Sequence, residues 1–222
     1  MKTVDAARSA WAPVWVVVDG SRDGSDKPVI ARAARDAALR VLRLDTNLGK
    51  GAAVRHGLMV AREAGFTHAL VMDADGQHPA GCITDFMRIS AEEPTAVVSG
   101  QPQFGPDAPW LRVQWRRISN CAAKLLTGQQ VGDTLYGFRV YPIDGLLGAM
   151  ERSRGMKGFD FDPEALIRLV WSQQPVIQIA APVRYLTRAQ GGVSHFSYLR
   201  DNCLLARMYA RLTLAACLGR RR

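Results

Sequence analysis

Ala69-Leu70-Val71-Met72 runs straight into Asp73-Ala74-Asp75-Gly76-Gln77-His78-Pro79, and this junction constrains the chain more than any other stretch. The apolar run reads as a buried strand, and Gly76 and Pro79 mark a turn after it. Two carboxylates and a carboxamide at alternating positions then stand at the strand's carboxyl end, where open α/β sheets place their ligands. Asp-x-Asp-x-Gln offers hard oxygen atoms that suit one Mg²⁺ or Mn²⁺ ion. Such an ion can neutralise the diphosphate of an activated donor as it leaves. A solvated acidic turn uses the same residue types, so these residues alone leave both readings open.

The first half of the chain repeats the strand–loop–helix pattern. Val14–Val18 is a β-rich run ending in Asp19-Gly20-Ser21, and 27–39 is Ala-rich and reads as a helix. Val41–Leu44 is a second strand, followed by Asn47-Leu48-Gly49-Lys50-Gly51 and a helix over 52–64. The Ala69 strand, a helix over 79–90 and a strand over 96–99 continue the alternation. It implies a doubly wound, mainly parallel sheet with helices on both faces. The second half is less regular: helices over 110–127 and 162–171, a strand-like 134–141, an extended 176–186 and a long helix over 197–218. Residues 1–13 read as irregular, and the 222 residues as one domain.

A net charge of +9, from 29 basic and 20 acidic residues, favours an anionic partner without selecting one. No zinc-finger or aromatic RNA-binding motif is present, so nucleic acid is not expected. Cys82, Cys121, Cys203 and Cys217 form no CxxC pair and read as reduced, mostly buried thiols of a cytosolic protein. No run of uncharged apolar residues is long enough to span a bilayer.

Asp19-Gly20-Ser21-Arg22-Asp23-Gly24-Ser25 is a Gly-rich turn directly after a strand, able to bring backbone N–H groups and a carboxylate to a nucleoside. Asn47-Leu48-Gly49-Lys50-Gly51 is a second Gly-flanked loop that opens a helix. It lacks the P-loop spacing. Taken in order with Asp73-Ala74-Asp75, these loops resemble glycosyltransferase family 2, the inverting GT-A enzymes. Asp-Ala-Asp-Gly-Gln-His-Pro is similar to the polyprenyl-phosphate sugar synthase branch of the dolichyl-phosphate mannose synthase type. The resemblance continues through Asp133-Thr134-Leu135-Tyr136-Gly137-Phe138-Arg139, and through Arg188 and Gly192-Val193-Ser194-His195.

Two departures stand out. Family members begin with a strand ending in a Pro-x-Tyr-Asn-like segment, which lies inside the sheet. The 13 residues before Val14 do not read as that strand. A misplaced start or a truncated, impaired copy is the expectation, with ladder groups and apolar surface left exposed. The usual Asp-Asp-Gly-Ser also has one Asp fewer, so Asp19 matches either carboxylate.

The resemblance implies a metal-dependent, inverting transfer of a sugar from a nucleotide-sugar donor. It implies that Asp73, Asp75 and Gln77 hold Mg²⁺ or Mn²⁺, with Asp75 catalytic and Asp73 also facing the nucleotide. Asp19, Ser21, Asp23, Lys50, Arg188 and His195 are the further donor-binding candidates, and a solvated helix-start lysine is the other reading of Lys50. Arg116, Arg117 and Arg139 are candidates for an acceptor phosphate, which a guanidinium binds in bidentate fashion. A phosphate acceptor is already ionised, whereas a hydroxyl acceptor needs a base. Among Asp160, Asp162 and Glu164, Asp160 is the favoured base, and Asp162 before Pro163 reads as a helix cap. The expected acceptor is a lipid, a polyprenyl phosphate or lipid-linked hydroxyl, at the cytoplasmic membrane face. In the last helix Leu205, Met208 and Leu212 share one side and arginines follow. That stripe suits either peripheral membrane association or packing on the core. A non-catalytic remnant that still binds nucleotide sugar is the alternative function.

Overall fold

A computed structural model of the chain describes residues 1–104, 110–183 and 198–219. Six strands and eight α-helices are present among them. In chain order they are α1 (Lys2–Ala10), β1 (Val14–Asp19), α2 (Lys27–Ala33), β2 (Leu39–Leu44), α3 (Lys50–Glu63) and β3 (His68–Val71). A 3₁₀ turn (Ala80–Cys82) leads into α4 (Ile83–Glu92), followed by β4 (Val97–Gln103) and α5 (Trp110–Thr127). Then come β5 (Arg139–Pro142), α6 (Ile143–Glu151), α7 (Phe161–Trp171), β6 (Val176–Pro182) and α8 (Tyr198–Cys217).

β1 and β2 pair in parallel as one two-stranded ribbon, while β3, β5, β4 and β6 form a four-stranded sheet in that order. Within the larger sheet β4 and β6 are parallel, and β5 runs antiparallel to both β3 and β4. The result is the expected mixed α/β fold, but with the strands divided into two groups.

Alternate strand residues feed two cores, as pleating requires. Ala69, Val71 and Val97 face a core shared with α3, α5, α6, α7 and α8, whereas Leu70, Met72 and Val98 face one shared with α1 and α4. α7 is buried along its whole length, so its charged residues must be paired. Glu164 receives hydrogen bonds from Ser153 Oγ, Arg168 Nε and Arg211, which ties α8 to α7.

Four expectations need correction. Residues 1–13 are not irregular, because Lys2–Ala10 is helical. Its Ala-rich sequence favours helix, with Asp5 in the first turn and Arg8 in the last complementing the dipole. The strand-like 134–141 segment pairs only from Arg139, because side chains fix its first half: Asn120 Oδ1 accepts from Thr134 N–H and Asp133 Oδ1 from Leu135 N–H. Leu205, Met208 and Leu212 are buried, so the α8 stripe packs on the core and is not a membrane face. Cys121, Cys203 and Cys217 are exposed and only Cys82 is half-buried. The arginines at 220–222 lie outside the described residues. No helix among the described residues is long and apolar enough to cross a membrane.

Candidate functional site

The carboxyl ends of β1 and β3 open onto the start of α3, and a cavity of about 1330 Å³ lies between them. Its polar end gathers Asp19, Lys50, Asp73, Asp75, Arg116 and Asp162, which come from five separate stretches of sequence.

Lys50 is the hub. Its Nζ donates to Asp162 Oδ2 at 2.7 Å and stands 2.7 Å from Asp73 Oδ1. The loop that carries it is built from glycines. Gly49 has φ +94°, in the left-handed region that favours glycine. A Cβ on Gly51 would lie 1.8 Å from the Met156 carbonyl oxygen, so only glycine lets α3 start against the 156–158 turn. Asp19 fastens the same loop, each of its carboxylate oxygens accepting a backbone N–H at 2.8 Å, from Leu48 and Gly49. The solvated reading of Lys50 is therefore set aside. Burial works against its charge, but the Asp162 and Asp73 carboxylates outweigh it and raise the ammonium pKa above its ordinary value.

Burial acts on Asp73 to raise its pKa, yet Lys50 and His78 prevail and hold it below the usual carboxylate range. His78 lies under this loop with its Nδ1 accepting the Asp73 N–H at 3.0 Å, and its Nε2 is 3.9 Å from Asp73 Oδ2. Burial dominates at His78 and lowers its pKa, leaving the ring neutral at pH 7. An edge contact with Tyr136 and a tilted contact with Phe138 fix the ring plane.

The carboxylate turn keeps a different geometry. Asp75 is exposed, and its Oδ1 accepts the Gln77 N–H at 2.9 Å, while half-buried Gln77 also lines the cavity. Among the described residues no three His, Cys, Asp or Glu side chains stand close enough to hold a metal ion unaided. Asp73 Oδ1 is engaged by Lys50, so a metal held at this turn needs further oxygens from a ligand.

Several sequence candidates occupy other roles. Arg139 is fully buried and spends its guanidinium on the fold: Nε donates to Ser99 Oγ, one terminal nitrogen to Tyr141 Oη and the Asp162 carbonyl, and the other to the carbonyls of Asp133 and Thr134. It cannot reach an acceptor phosphate. Asp160 is buried with both oxygens accepting backbone N–H groups, from Met156 and Gly158, so it braces the turn before α7 and is not placed as a base. Asp162, two residues on, lines the cavity and keeps a buried Oδ1 with no hydrogen-bond partner. Ser21 and Asp23 are exposed and absent from the cavity lining. Asp23 instead caps its own turn, where hydrogen bonds from Ser25 lower its pKa. Arg117 is exposed on α5, whereas half-buried Arg116 lines the cavity, donates to Asp133 Oδ1 at 2.6 Å and covers the Phe104 ring. Arg188 and His195 lie outside the described residues.

Sequence reasoning missed the contribution of Gly137. A Cβ there would fall 2.6 Å from Lys50 Nζ and 3.0 Å from Asp162 Oδ1, so the glycine makes room for the ion pair. It also missed Tyr136, whose buried hydroxyl lines the cavity without a partner.

The arrangement gathers two cations, an exposed carboxylate turn and one buried, unpartnered carboxylate oxygen around one cavity. Known proteins are similar to this chain in sequence and in fold. An undecaprenyl-phosphate mannosyltransferase from Micrococcus luteus is 24% identical over 182 residues, covering 80% of this chain and 73% of that protein. A polyprenol monophosphomannose synthase from Mycolicibacterium smegmatis is 26% identical over 188 residues, covering 83% and 70%. Among solved structures, glucosyl-3-phosphoglycerate synthase from Mycobacterium tuberculosis in complex with Mn²⁺, UDP-glucose and phosphoglyceric acid superposes with a TM-score of 0.61 at 16% identity. The match covers 97% of this chain and 75% of that one, and it makes the fold GT-A-like. The family model for glycosyl transferase family 2 matches residues 10–146, more than half of the sequence, and the chain belongs to that family.

Proposed function

We propose that this protein transfers a sugar from a nucleotide-sugar donor to a polyprenyl phosphate or related lipid acceptor at a membrane face, with inversion at the anomeric carbon. The observation that carries the reading is the Lys50 bridge between Asp73 and Asp162, which together with the Asp19 hold on the Leu48 and Gly49 amides brings the three recognised loops to one cavity. The similarity to two enzymes named for polyprenyl phosphates supports the acceptor class.

In this reading the donor diphosphate lies against the Asp75 turn. Asp75 and Gln77 would supply oxygens to a Mg²⁺ or Mn²⁺ ion, which would offset charge on the departing nucleoside diphosphate. Arg116 orients the acceptor phosphate from the other side of the cavity. An acceptor phosphate oxygen attacks the anomeric carbon in line, and the bond to the diphosphate breaks with its electron pair leaving on oxygen. With a hydroxyl acceptor, Asp162 Oδ1 takes the proton.

Membrane association moves from α8 to α5. Trp110, Ile118 and Leu125 are exposed and fall within roughly a quarter-turn of one another, with exposed Arg117 and Lys124 along one edge. An aromatic and aliphatic stripe bordered by cations suits an anionic bilayer surface. Trp115, Arg116 and Ile118 of the same helix line the cavity, so a docked α5 faces the site towards lipid.

Calorimetry with a panel of nucleoside diphosphates, with and without Mn²⁺, tests the donor site. Mn²⁺-dependent binding that Asp75→Ala abolishes is the expected result, and its absence in well-folded protein overturns the reading. Co-sedimentation with phosphatidylglycerol vesicles tests the membrane face: Ile118→Glu with Leu125→Glu should release the protein, and unchanged sedimentation sinks that part. A second reading, binding of nucleotide sugar without turnover, draws on the division of the sheet, and donor binding without transfer to any prenyl phosphate would favour it.

A further inference from the structure

Among the described residues, five buried side-chain atoms have no hydrogen-bond partner: Ser90 Oγ, Tyr136 Oη, Asp162 Oδ1, Gln174 Oε1 and Arg211 Nε. Water satisfies such an atom in the unfolded chain, so leaving it unpaired weakens the fold. Two of the five belong to residues that line the cavity, Tyr136 and Asp162. Asp162 pairs with Lys50 through its other oxygen and has a role in the transfer reading. The Tyr136 hydroxyl has neither.

The ring that carries this hydroxyl is held from both sides. Side chains alternate along the segment: Tyr136, Phe138 and Val140 face the core shared with α1 and α4, while Gly137 faces Lys50 and Asp162. Tyr136 meets the His78 ring edge-on, with 4.9 Å between centroids. Gly100 of β4 leaves the space that the ring fills, since a Cβ there would lie 2.6 Å from Tyr136 Cε1.

The charged and titratable groups that act on the hydroxyl say where its oxygen lies. They are Cys82, Arg116, Asp133 and Asp75. Asp75 belongs to the exposed carboxylate turn, and Arg116 stands on the cavity face of α5, paired with Asp133 at 2.6 Å. Tyr136 thus sits in the wall between that turn and that arginine. Burial raises its pKa above the ordinary 10.0, so the hydroxyl keeps its proton and acts as a neutral donor. No carboxylate, thiol or carbonyl accepts from it.

A donor without an acceptor, beside a guanidinium, selects among ligands. An apolar chain would leave the hydroxyl unpaired. A sugar hydroxyl would pair with it but offers the guanidinium no charge. A phosphate has oxygens for both.

We propose that the Tyr136 hydroxyl donates to a phosphate oxygen held between the Asp75 turn and Arg116. The inference deepens the transfer reading and rests on it for the source of the phosphate, either the leaving diphosphate or the acceptor phosphate. The hydroxyl is sealed from water by the wall around it. A phosphate that draws Arg116 off Asp133 opens that wall, so the pairing forms with the ligand.

Tyr136→Phe removes the oxygen and keeps the ring, and Ser90→Ala removes another unpartnered buried hydroxyl, one outside the cavity lining. Three measurements read the phosphate: calorimetry with inorganic phosphate, calorimetry with a nucleoside diphosphate and Mn²⁺, and the KM for a short prenyl phosphate. Both variants should melt at or above the wild-type temperature. Tyr136→Phe should weaken inorganic phosphate roughly tenfold, together with the diphosphate or the prenyl phosphate, whichever is the source. Ser90→Ala should leave all three unchanged. Tyr136→Phe equal to wild type in all three overturns the proposal, and a lowered melting temperature beside that result makes the hydroxyl a structural group. An equal loss in Ser90→Ala overturns it as well, because the effect would not come from the cavity. Tyr136-dependent binding of inorganic phosphate in a protein that transfers no sugar sustains the subsite and refutes the transfer reading alone. A wild type that binds phosphate in none of the three overturns both.

Discussion

Lys50 and Asp162 are 112 residues apart in sequence and meet at 2.7 Å, joining the loop that opens α3 to the first turn of α7. The contact closes only because Gly51 rests on the 156–158 turn and Gly137 leaves space above the ammonium. This ion pair thereby fixes the loop that opens α3 against the start of α7 beside the cavity.

Removing the ammonium should be costly. Lys50→Met leaves Asp162 buried without its counter-charge and is expected to lower stability by about 3 kcal/mol. Asp73 is about a third open to water and adds less. The raised Lys50 pKa means its contribution is complete below 10.5 and fades as pH climbs through the higher folded value. The lowered Asp73 pKa means its contribution is present above 3.8 and fades as pH falls through the lower folded value. Urea titrations of both proteins should differ most between those limits and converge at acid pH. A constant or absent difference would show that the pair does not hold the loops.

How much of this was legible in the sequence divides along physical lines. The three loops were readable because glycine, aspartate and asparagine after an apolar run carry turn chemistry locally, and Lys50, Asp73 and Asp75 came with them. The roles of Arg139 and Asp160 were not, because sequence spacing places a side chain near a site without saying whether the fold consumes its hydrogen bonds. Asp160 and Asp162 differ by two positions at the start of α7, and helix phase alone sends one to backbone amides and the other to the cavity. The α8 stripe had the right period for a membrane face and for a core, and packing against α5 and α7 decided it.

Gly137→Ala separates site geometry from stability. Its Cβ would meet the Lys50 ammonium at 2.6 Å, and the far end of a lysine moves cheaply. Lys50 stays in the cavity as a counter-charge, so thermal stability should fall by less than the about 3 kcal/mol of Lys50→Met, while donor binding falls roughly tenfold as the ammonium shifts from Asp162. Calorimetry beside thermal unfolding reads both, and a large loss of stability with intact binding would contradict the assignment.

His78 supplies a pH dependence in the apo protein. Burial lowers its pKa below the ordinary 6.5, so its neutral form is favoured by folding. Stability is therefore complete above pH 6.5 and declines as pH falls towards the folded value, where protonation charges a ring held by Tyr136 and Phe138. His78→Gln should flatten the profile below pH 6.5, at some cost in stability at pH 7. A wild-type slope retained in the variant would place the titration elsewhere.

Arg139→Lys distinguishes a fold-bearing guanidinium from an acceptor ligand. The arginine satisfies two side-chain oxygens and three carbonyls in complete burial. Lysine has three donors on one nitrogen and cannot span those five acceptors. Each buried acceptor left unpaired costs about 1–3 kcal/mol, so the variant should unfold at markedly lower denaturant or fail to accumulate. Ser99→Ala, which removes one acceptor and its demand together, should cost far less and leave transfer kinetics untouched. An Arg139→Lys protein with wild-type stability and a raised KM for a prenyl phosphate would return Arg139 to the acceptor site and refute its role as the internal strut of the loop before β5.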